Sequence, residues 1–142
     1  GAILGEATEE QQTALREYGL NLGIAFQLID DVLDFTSSED TLGKAAGADL
    51  LGGKVTLPLI YLREAEPNSL EMLQTILREE RYATVSQQEL REALDRTGAL
   101  QKARARADEY AENARVALEA LPDSDYCDSL RSLPAYILHR DR

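Results

Sequence analysis

The chain has 142 residues, a length that suits one ordinary globular domain. Its formal net charge of -11 argues against nucleic acid and anionic membrane surfaces as partners, because both repel an acidic protein. No apolar run approaches the roughly 20 residues of a membrane span, and no basic start precedes an apolar core as in a signal peptide. The single cysteine, Cys127, cannot form an internal disulfide, which fits a reducing cytoplasm. From these observations together we predict a soluble, cytoplasmic protein.

The first predicted helix begins at Thr8 and continues to about Phe35. Thr8, with Gln11 three residues later, forms a capping-box pattern that is typical of a helix N-terminus. Apolar side chains then recur at helical spacing at Leu15, Tyr18, Leu22, Phe26, Ile29 and Leu33. Gly19 and Gly23 each weaken this helix by about 1 kcal/mol relative to alanine. They either clear space for a substrate or allow a close helix crossing.

Three aspartates, Asp30, Asp31 and Asp34, lie in the apolar end of this helix. Helical spacing places Gln27 on one stripe with Asp30 and Asp34, while Asp31 lies about 100° around the helix. In a site of low dielectric constant their repulsion would raise each pKa, and a bound cation would relieve it. Oxygen ligands without cysteine or histidine indicate Mg²⁺ or Ca²⁺ rather than zinc. The alternative is a solvated acidic helix face, which this motif alone does not exclude.

A glycine-rich segment follows the acidic helix. Residues Thr36 to Lys54 include four glycines and no sustained periodicity, so we predict a loop with at most a short turn. The segment carries two lysines, Lys44 and Lys54. Carboxylates that hold Mg²⁺, followed by lysines on a flexible loop, favour a diphosphate site, because the lysines neutralise phosphate oxygens that the metal leaves free.

The rest of the chain is predicted to form one helix after another. The first of them runs from Leu57 to about Glu64, with Thr56 as its cap and Pro58 in its first turn. After a break at Pro67-Asn68-Ser69, the next runs through Leu70 to Leu77, and another runs from the capping box Ser86–Glu89 to Gly98. The last two are Ala99 to Leu121 and Asp125 to about His139. Pro134 should kink or divide the last of these. No strand-like alternation of useful length occurs, so the predicted fold class is all-α.

Two motifs in order carry a resemblance to a known family. One is Phe-Gln-x-x-Asp-Asp-x-x-Asp, from Phe26 to Asp34. The other is Gly-Lys-x-x-Gly-x-Asp-Leu-x-x-Gly-Lys-x-Thr-x-Pro, from Gly43 to Pro58. Together they resemble the second aspartate-rich region of the trans-isoprenyl diphosphate synthases, or polyprenyl synthetases, and weaker similarity runs along the whole chain. The resemblance implies a helical bundle of the isoprenoid synthase type.

The resemblance also implies a reaction, a cofactor and substrates. In that family Mg²⁺ helps the diphosphate of an allylic substrate to leave. The double bond of isopentenyl diphosphate then attacks the allylic cation, and the product is longer by one isoprene unit. The implied partners of this chain are therefore an allylic diphosphate and isopentenyl diphosphate, and the implied cofactor is Mg²⁺.

Roles for individual residues follow from the same resemblance. Asp30 would bind the metal directly, while Asp31 and Asp34 would hold its waters or complete its shell. Lys44 would contact the leaving diphosphate, with Lys54 as a second contact.

Three further residues receive roles from the family pattern. Gln27 would line the reaction site beside the allylic carbon. Phe26 would contribute to the apolar wall of that site, and Asp49 would order the loop.

The chain also departs from the family pattern. Family members carry another Asp-Asp-x-x-Asp helix upstream, and no such motif occurs elsewhere in these 142 residues. Upstream basic residues for isopentenyl diphosphate and the positions that set product length are missing as well. Residues 1–142 are therefore predicted to be the C-terminal portion of a single domain, which alone should bind metal-diphosphate weakly and elongate nothing. The full-length protein is expected to be a homodimer.

Two other interpretations stay open. A non-catalytic subunit of a two-component prenyl synthase would not need to keep Asp30, Asp31 and Asp34, so their presence counts against it. A free-standing acidic helical interaction module would use the aspartates only as a face and would show no Mg²⁺-dependent diphosphate binding. Outside the motifs, we predict a surface or helix-end position for His139 and a frayed terminus at Arg140 and Arg142.

Overall fold

The computed structural model describes residues 1–36 and 46–140, and all regular structure in these ranges is helical. The helices are α1 (Glu9–Thr36), α2 (Ala48–Leu51), α3 (Leu57–Ala65), α4 (Ser69–Glu79), α5 (Gln87–Thr97), α6 (Ala99–Ala117) and α7 (Asp125–Leu138), with a 3-10 turn at Leu118–Ala120 after α6. The described ranges contain no strand, so the all-α prediction is confirmed. None of their helices has the length and apolar character that crossing a membrane requires.

The chain folds as two compact units. The first unit comprises residues 1–29 and 106–140, and the second comprises residues 30–105. The boundary falls between Ile29 and Asp30, so α1 contributes residues to both units.

The first unit is built from most of α1 together with the end of α6 and α7. Its buried cluster contains Tyr18, Ala114, Leu118 and Cys127. The Tyr18 hydroxyl donates a hydrogen bond of 2.9 Å to the Leu130 carbonyl, which satisfies the polar end of a buried ring. Cys127 is buried and its thiol is free.

The second unit has a larger apolar core, in which α3 packs against α4 and α5, and α2 packs against α4. Its fully or almost fully buried side chains are Val32, Phe35, Leu50, Leu59, Leu62, Leu73, Ile76, Leu90, Leu94 and Leu100. The aspartate-rich end of α1 therefore rests on a well-packed base, since Val32 and Phe35 anchor that end of the helix in the core.

Helix boundaries mostly lie where the sequence places them. Thr8 and Gln11 form the reciprocal bonds of a capping box, Thr8 N–H to Gln11 Oε1 at 3.1 Å and Gln11 N–H to Thr8 Oγ1 at 3.3 Å. Gly98 ends α5 in the left-handed conformation, with φ of 67°. His139 caps the C-terminus of α7, as predicted.

Residues Ala48–Leu51 form one short helical turn, which the sequence-based prediction for this segment allows, and the fully buried Leu50 holds it on the core. Two local details differ from the sequence-based expectations. Thr56 occupies the N-cap position of α3, but its hydroxyl makes no capping bond and has no hydrogen-bond partner among the described residues. Pro134 lies inside α7 without dividing it.

The capping box of α5 supports a first prediction. The Ser86 hydroxyl accepts the Glu89 N–H at 3.2 Å, and a Glu89 carboxylate oxygen accepts the Ser86 N–H at 2.7 Å. Ser86→Ala should lower the free energy of unfolding by about 1 kcal/mol, whereas Ser86→Gly should cost only a few tenths. Urea denaturation of both variants checks this, and equal losses would contradict a role for the hydroxyl.

Candidate functional site

The C-terminal turn of α1 is joined to the start of α2 by two hydrogen bonds. The Gly47 N–H donates to the Asp34 carbonyl at 2.7 Å, and the Asp49 N–H donates to Oδ2 of the Asp34 carboxylate at 3.2 Å. The amides at a helix start lack partners within the helix, and a carboxylate there is favourable. Asp34 therefore supplies from α1 the capping group that Gly47, the N-cap residue of α2, cannot provide.

Asp49 connects this contact to a lysine. The Asp49 carboxylate lies 2.9 Å from the Lys54 Nζ, and the Asp49 carbonyl accepts the Lys54 N–H at 2.8 Å. The hydrogen bond to Asp49 and its charge raise the pKa of Lys54, and the charges of Asp31 and Asp34 act in the same direction. The ammonium thus lies within the field of three carboxylates while its side chain is 69% exposed. A cation in that position can meet an anion that arrives from solvent.

Burial and neighbouring charges raise the pKa of Asp34, whereas its hydrogen bonds lower that pKa. Desolvation is the main cause that raises the pKa of Asp34, and the charges of Asp49 and Asp31 add to it. The N–H groups of Asp49 and Ala48 oppose this rise by binding the charged form. The net shift of the pKa is upward, so folding disfavours the ionised form of Asp34 relative to the unfolded chain, and a nearby cation would offset this.

This electrostatic arrangement predicts a pH dependence of stability. A carboxyl whose folded pKa lies above its unfolded pKa stabilises the fold most at low pH, and that contribution is lost as the pH rises through the folded pKa. Asp34→Asn should therefore gain stability relative to the wild type as the pH rises from about 4 to about 7 without divalent metal. Urea denaturation at several pH values, with exposed Asp108→Asn on α6 as control, measures this. A constant difference between Asp34→Asn and the wild type would contradict it.

A second set of side chains holds the same loop from the α4–α5 side. The Tyr82 hydroxyl donates to the Ala46 carbonyl at 3.1 Å, and Gln87 Nε2 donates to the same carbonyl at 3.0 Å. Burial, and to a lesser degree the charge of Asp34, raises the pKa of Tyr82 to about 12. Sequence reasoning does not identify Tyr82 or Gln87, because each lies far along the chain from Ala46 and belongs to no motif.

The remaining predicted metal and diphosphate ligands differ in solvent exposure. Asp31 is only 9% exposed, whereas Asp30 is partly exposed on the same helix. Lys44 lies outside the described residues. The structure therefore joins Asp34 and Lys54 of the predicted set through Asp49, and the charge of Asp31 acts on both.

Gln27 and Phe26 belong to the first unit. Gln27 is exposed on α1. Phe26 is 40% exposed, and the Arg140 guanidinium lies 4.5 Å from the centroid of its ring. This cation–π contact holds Arg140 in place, so the prediction of a frayed terminus is wrong at Arg140, whereas Arg142 lies outside the described residues. The role of Phe26 in an apolar wall stays a prediction.

The donor chemistry of this region fits Mg²⁺. Within residues 1–36 and 46–140, no three acidic, histidine or cysteine side chains converge into a preformed metal cage. Mg²⁺ does not need one, because it is usually held by one or two carboxylates, several waters and phosphate oxygens of a substrate. Burial raises the pKa of Asp34, and the charges of Asp49 and Asp31 add to this rise, so the carboxylate is suited to a divalent cation.

Comparison with known proteins identifies the family of this chain. Residues 1–96 match the family model described as polyprenyl synthetase. Octaprenyl diphosphate synthase of Escherichia coli (strain K12) is 38% identical over 141 residues, which are 99% of this chain and 43% of that protein. Solanesyl diphosphate synthase 1, chloroplastic, of Arabidopsis thaliana is 37% identical over 139 residues, 98% of this chain and 33% of that protein.

Solved structures agree with these relatives. A polyprenyl synthase from Caulobacter crescentus CB15, complexed with calcium and isoprenyl diphosphate, superposes with a TM-score of 0.85 at 34% identity over 99% of this chain and 43% of that one. A decaprenyl diphosphate synthase from Rhodobacter capsulatus gives a TM-score of 0.86 at 31% identity over 99% and 44%. The chain spans less than half the length of each of these relatives. It belongs to the polyprenyl synthetase family.

Proposed function

We propose that this chain is part of a prenyltransferase that condenses an allylic diphosphate with isopentenyl diphosphate through an allylic carbocation. Its own contribution is a Mg²⁺-dependent half-site for the departing diphosphate. One observation carries the proposal. The exposed Lys54 ammonium is held 2.9 Å from Asp49, whose N–H binds the Asp34 carboxylate of the aspartate-rich helix. Asp49 thereby links a lysine ammonium to a carboxylate of the aspartate-rich helix, and this link supports recognition of a metal-bound diphosphate here.

The proposed metal ligand is Asp30, with Asp31 and Asp34 holding metal-bound waters or completing the shell. Bound Mg²⁺ supplies Lewis-acid stabilisation of negative charge on the diphosphate. Lys54 neutralises a phosphate oxygen as a compact point charge. Asp49 keeps that ammonium beside the carboxylates, so the lysine loses less side-chain freedom when the diphosphate binds.

Other roles in the proposal rest on the family motif. Lys44 contacts the same diphosphate from its place in the glycine-rich loop. Gln27 lines the site beside the allylic carbon, and Phe26 contributes an apolar wall, which keeps water away from a reactive cation.

Properties of the whole protein are proposed from the same membership. Residues 1–142 form the C-terminal portion of one domain of a longer synthase, and the full-length protein is a homodimer. The substrates are an allylic diphosphate and isopentenyl diphosphate, and this part alone does not elongate them. The proposed cytoplasmic location rests on the presence of a single cysteine, Cys127.

Ligand-dependent thermal unfolding tests the proposed half-site. Mg²⁺ together with inorganic pyrophosphate should stabilise the wild type, by about 1.4 kcal/mol when ligand is tenfold above Kd, while either component alone stabilises it less. Asp30→Asn should remove this gain, and the exposed Asp108→Asn control on α6 should keep it. Equal stabilisation of Asp30→Asn and the wild type would overturn the proposal and favour an acidic interaction module.

A further inference from the structure

Two side chains from outside both motifs converge on one backbone carbonyl of the glycine-rich loop. Tyr82 Oη lies 3.1 Å and Gln87 Nε2 lies 3.0 Å from the Ala46 oxygen. Tyr82 lies between α4 and α5, and Gln87 is the first residue of α5. The carbonyl therefore receives two donors, which use both of its lone pairs.

The clamped carbonyl is one residue away from the contacts that reach Asp34. Gly47 donates its N–H to the Asp34 carbonyl at 2.7 Å, and Asp49 donates its N–H to the Asp34 carboxylate at 3.2 Å. Tyr82 also packs closely against this segment, because a Cβ built on Gly47 would lie 2.0 Å from the Tyr82 hydroxyl oxygen. Residues Ala46 to Asp49 are thus held between Tyr82 and Gln87 on one side and Asp34 on the other.

We propose that Tyr82 and Gln87 are positioning residues of the diphosphate half-site. They act through the Ala46 carbonyl and fix the backbone that orients the Asp34 carboxylate and carries Asp49, the partner of Lys54. This inference rests on the proposed function and adds two residues to it. Both side chains bind the Ala46 carbonyl, so the proposed effect is on the geometry in which the carboxylates and the lysine meet a metal-bound diphosphate.

The Tyr82 hydroxyl and the Gln87 amide can be removed as donors without creating a cavity in the apolar core. Tyr82→Phe keeps the ring that packs against the apolar cluster of the second unit and removes only the donor. Gln87→Ala removes the second donor. Matched controls are Tyr61→Phe on α3, whose ring carries Lys102 Nζ at 4.1 Å, and Gln88→Ala, whose amide instead binds Glu92 on the exposed face of α5.

Amide hydrogen exchange and pyrophosphate affinity form the two arms of the test on the full 142-residue chain. Exchange at the Gly47 and Asp49 amides should rise about fivefold in Tyr82→Phe and in Gln87→Ala, as expected for one lost net hydrogen bond. The Kd for inorganic pyrophosphate with Mg²⁺ should rise about fivefold in the same variants. Tyr61→Phe and Gln88→Ala should leave both quantities at their wild-type values. The double variant should depart from additivity, because the two donors share one acceptor.

The outcomes separate this inference from the proposal beneath it. A wild-type chain that binds no pyrophosphate with Mg²⁺ overturns the proposed function and this inference with it. If the wild type binds pyrophosphate with Mg²⁺ and both variants bind it as tightly as the wild type does, only the positioning role is overturned, whatever the exchange rates are. Unchanged exchange at Gly47 and Asp49 overturns the clamp itself.

Discussion

Gly47→Ala should lower the free energy of unfolding by about 3 kcal/mol, because two penalties coincide at one residue. Gly47 has φ of +79°, in the left-handed region that residues with a Cβ rarely adopt. Its Cβ would also lie 2.0 Å from the Tyr82 hydroxyl oxygen and 3.2 Å from Phe35 Cε1. Urea denaturation of the variant measures the loss.

Two further variants separate these penalties. Gly53 has φ of +85°, but a Cβ there would meet no heavy atom within 4 Å. Gly53→Ala should therefore cost only the conformational part, about 1 kcal/mol. Adding Tyr82→Phe to Gly47→Ala should recover part of the loss, because it removes the atom in closest conflict. Equal losses at Gly47 and Gly53 would contradict the close approach of Tyr82.

Leu50→Ala should be comparably damaging, with a loss of about 3 kcal/mol. Leu50 is 0% exposed and is the buried anchor of the single-turn helix α2. A four-residue helix has no stability of its own, so packing of this side chain holds Asp49 and its neighbours in place. The variant should also weaken binding of Mg²⁺ and pyrophosphate, since α2 carries the amide that binds Asp34.

The adjacent leucine provides the matched control. Leu51 is only partly buried against the same core. Leu51→Ala should lose less than half as much stability as Leu50→Ala and should bind pyrophosphate nearly as well. Guanidinium or urea denaturation, followed by pyrophosphate titration, compares the two variants. Equal losses would indicate that α2 is not anchored through Leu50.

Local sequence signals account for much of the fold. The capping boxes at Thr8 and Ser86 and the glycine at Gly98 mark helix ends correctly, because each acts on residues within four positions of itself. Thr56 shows the limit of such signals. Its position as N-cap is predicted, whereas the absence of a capping bond depends on how its hydroxyl is buried.

The candidate site is less predictable because its contacts join distant segments. The motif places Asp34 and Lys54 near one another in sequence, and the structure joins them through Asp49. Asp34 acting as the cap of α2 could not be predicted, because it requires the chain to return onto α1 after fifteen residues. Tyr82 and Gln87 lie 36 and 41 residues from Ala46, and no periodicity or motif connects them to it.

Paramagnetic broadening by Mn²⁺, which substitutes for Mg²⁺ at oxygen ligands, tests the central claim most directly. With inorganic pyrophosphate present, substoichiometric Mn²⁺ should selectively broaden the backbone NMR signals of Asp30, Asp31 and Asp34 and of Asp49 to Lys54. Without pyrophosphate the effect should be weaker. The contradicting result is broadening that pyrophosphate does not change and that spreads to other acidic surfaces, such as the groove that Glu9, Glu10 and Glu17 line in the first unit. In that case the aspartates would be only part of a general acidic surface.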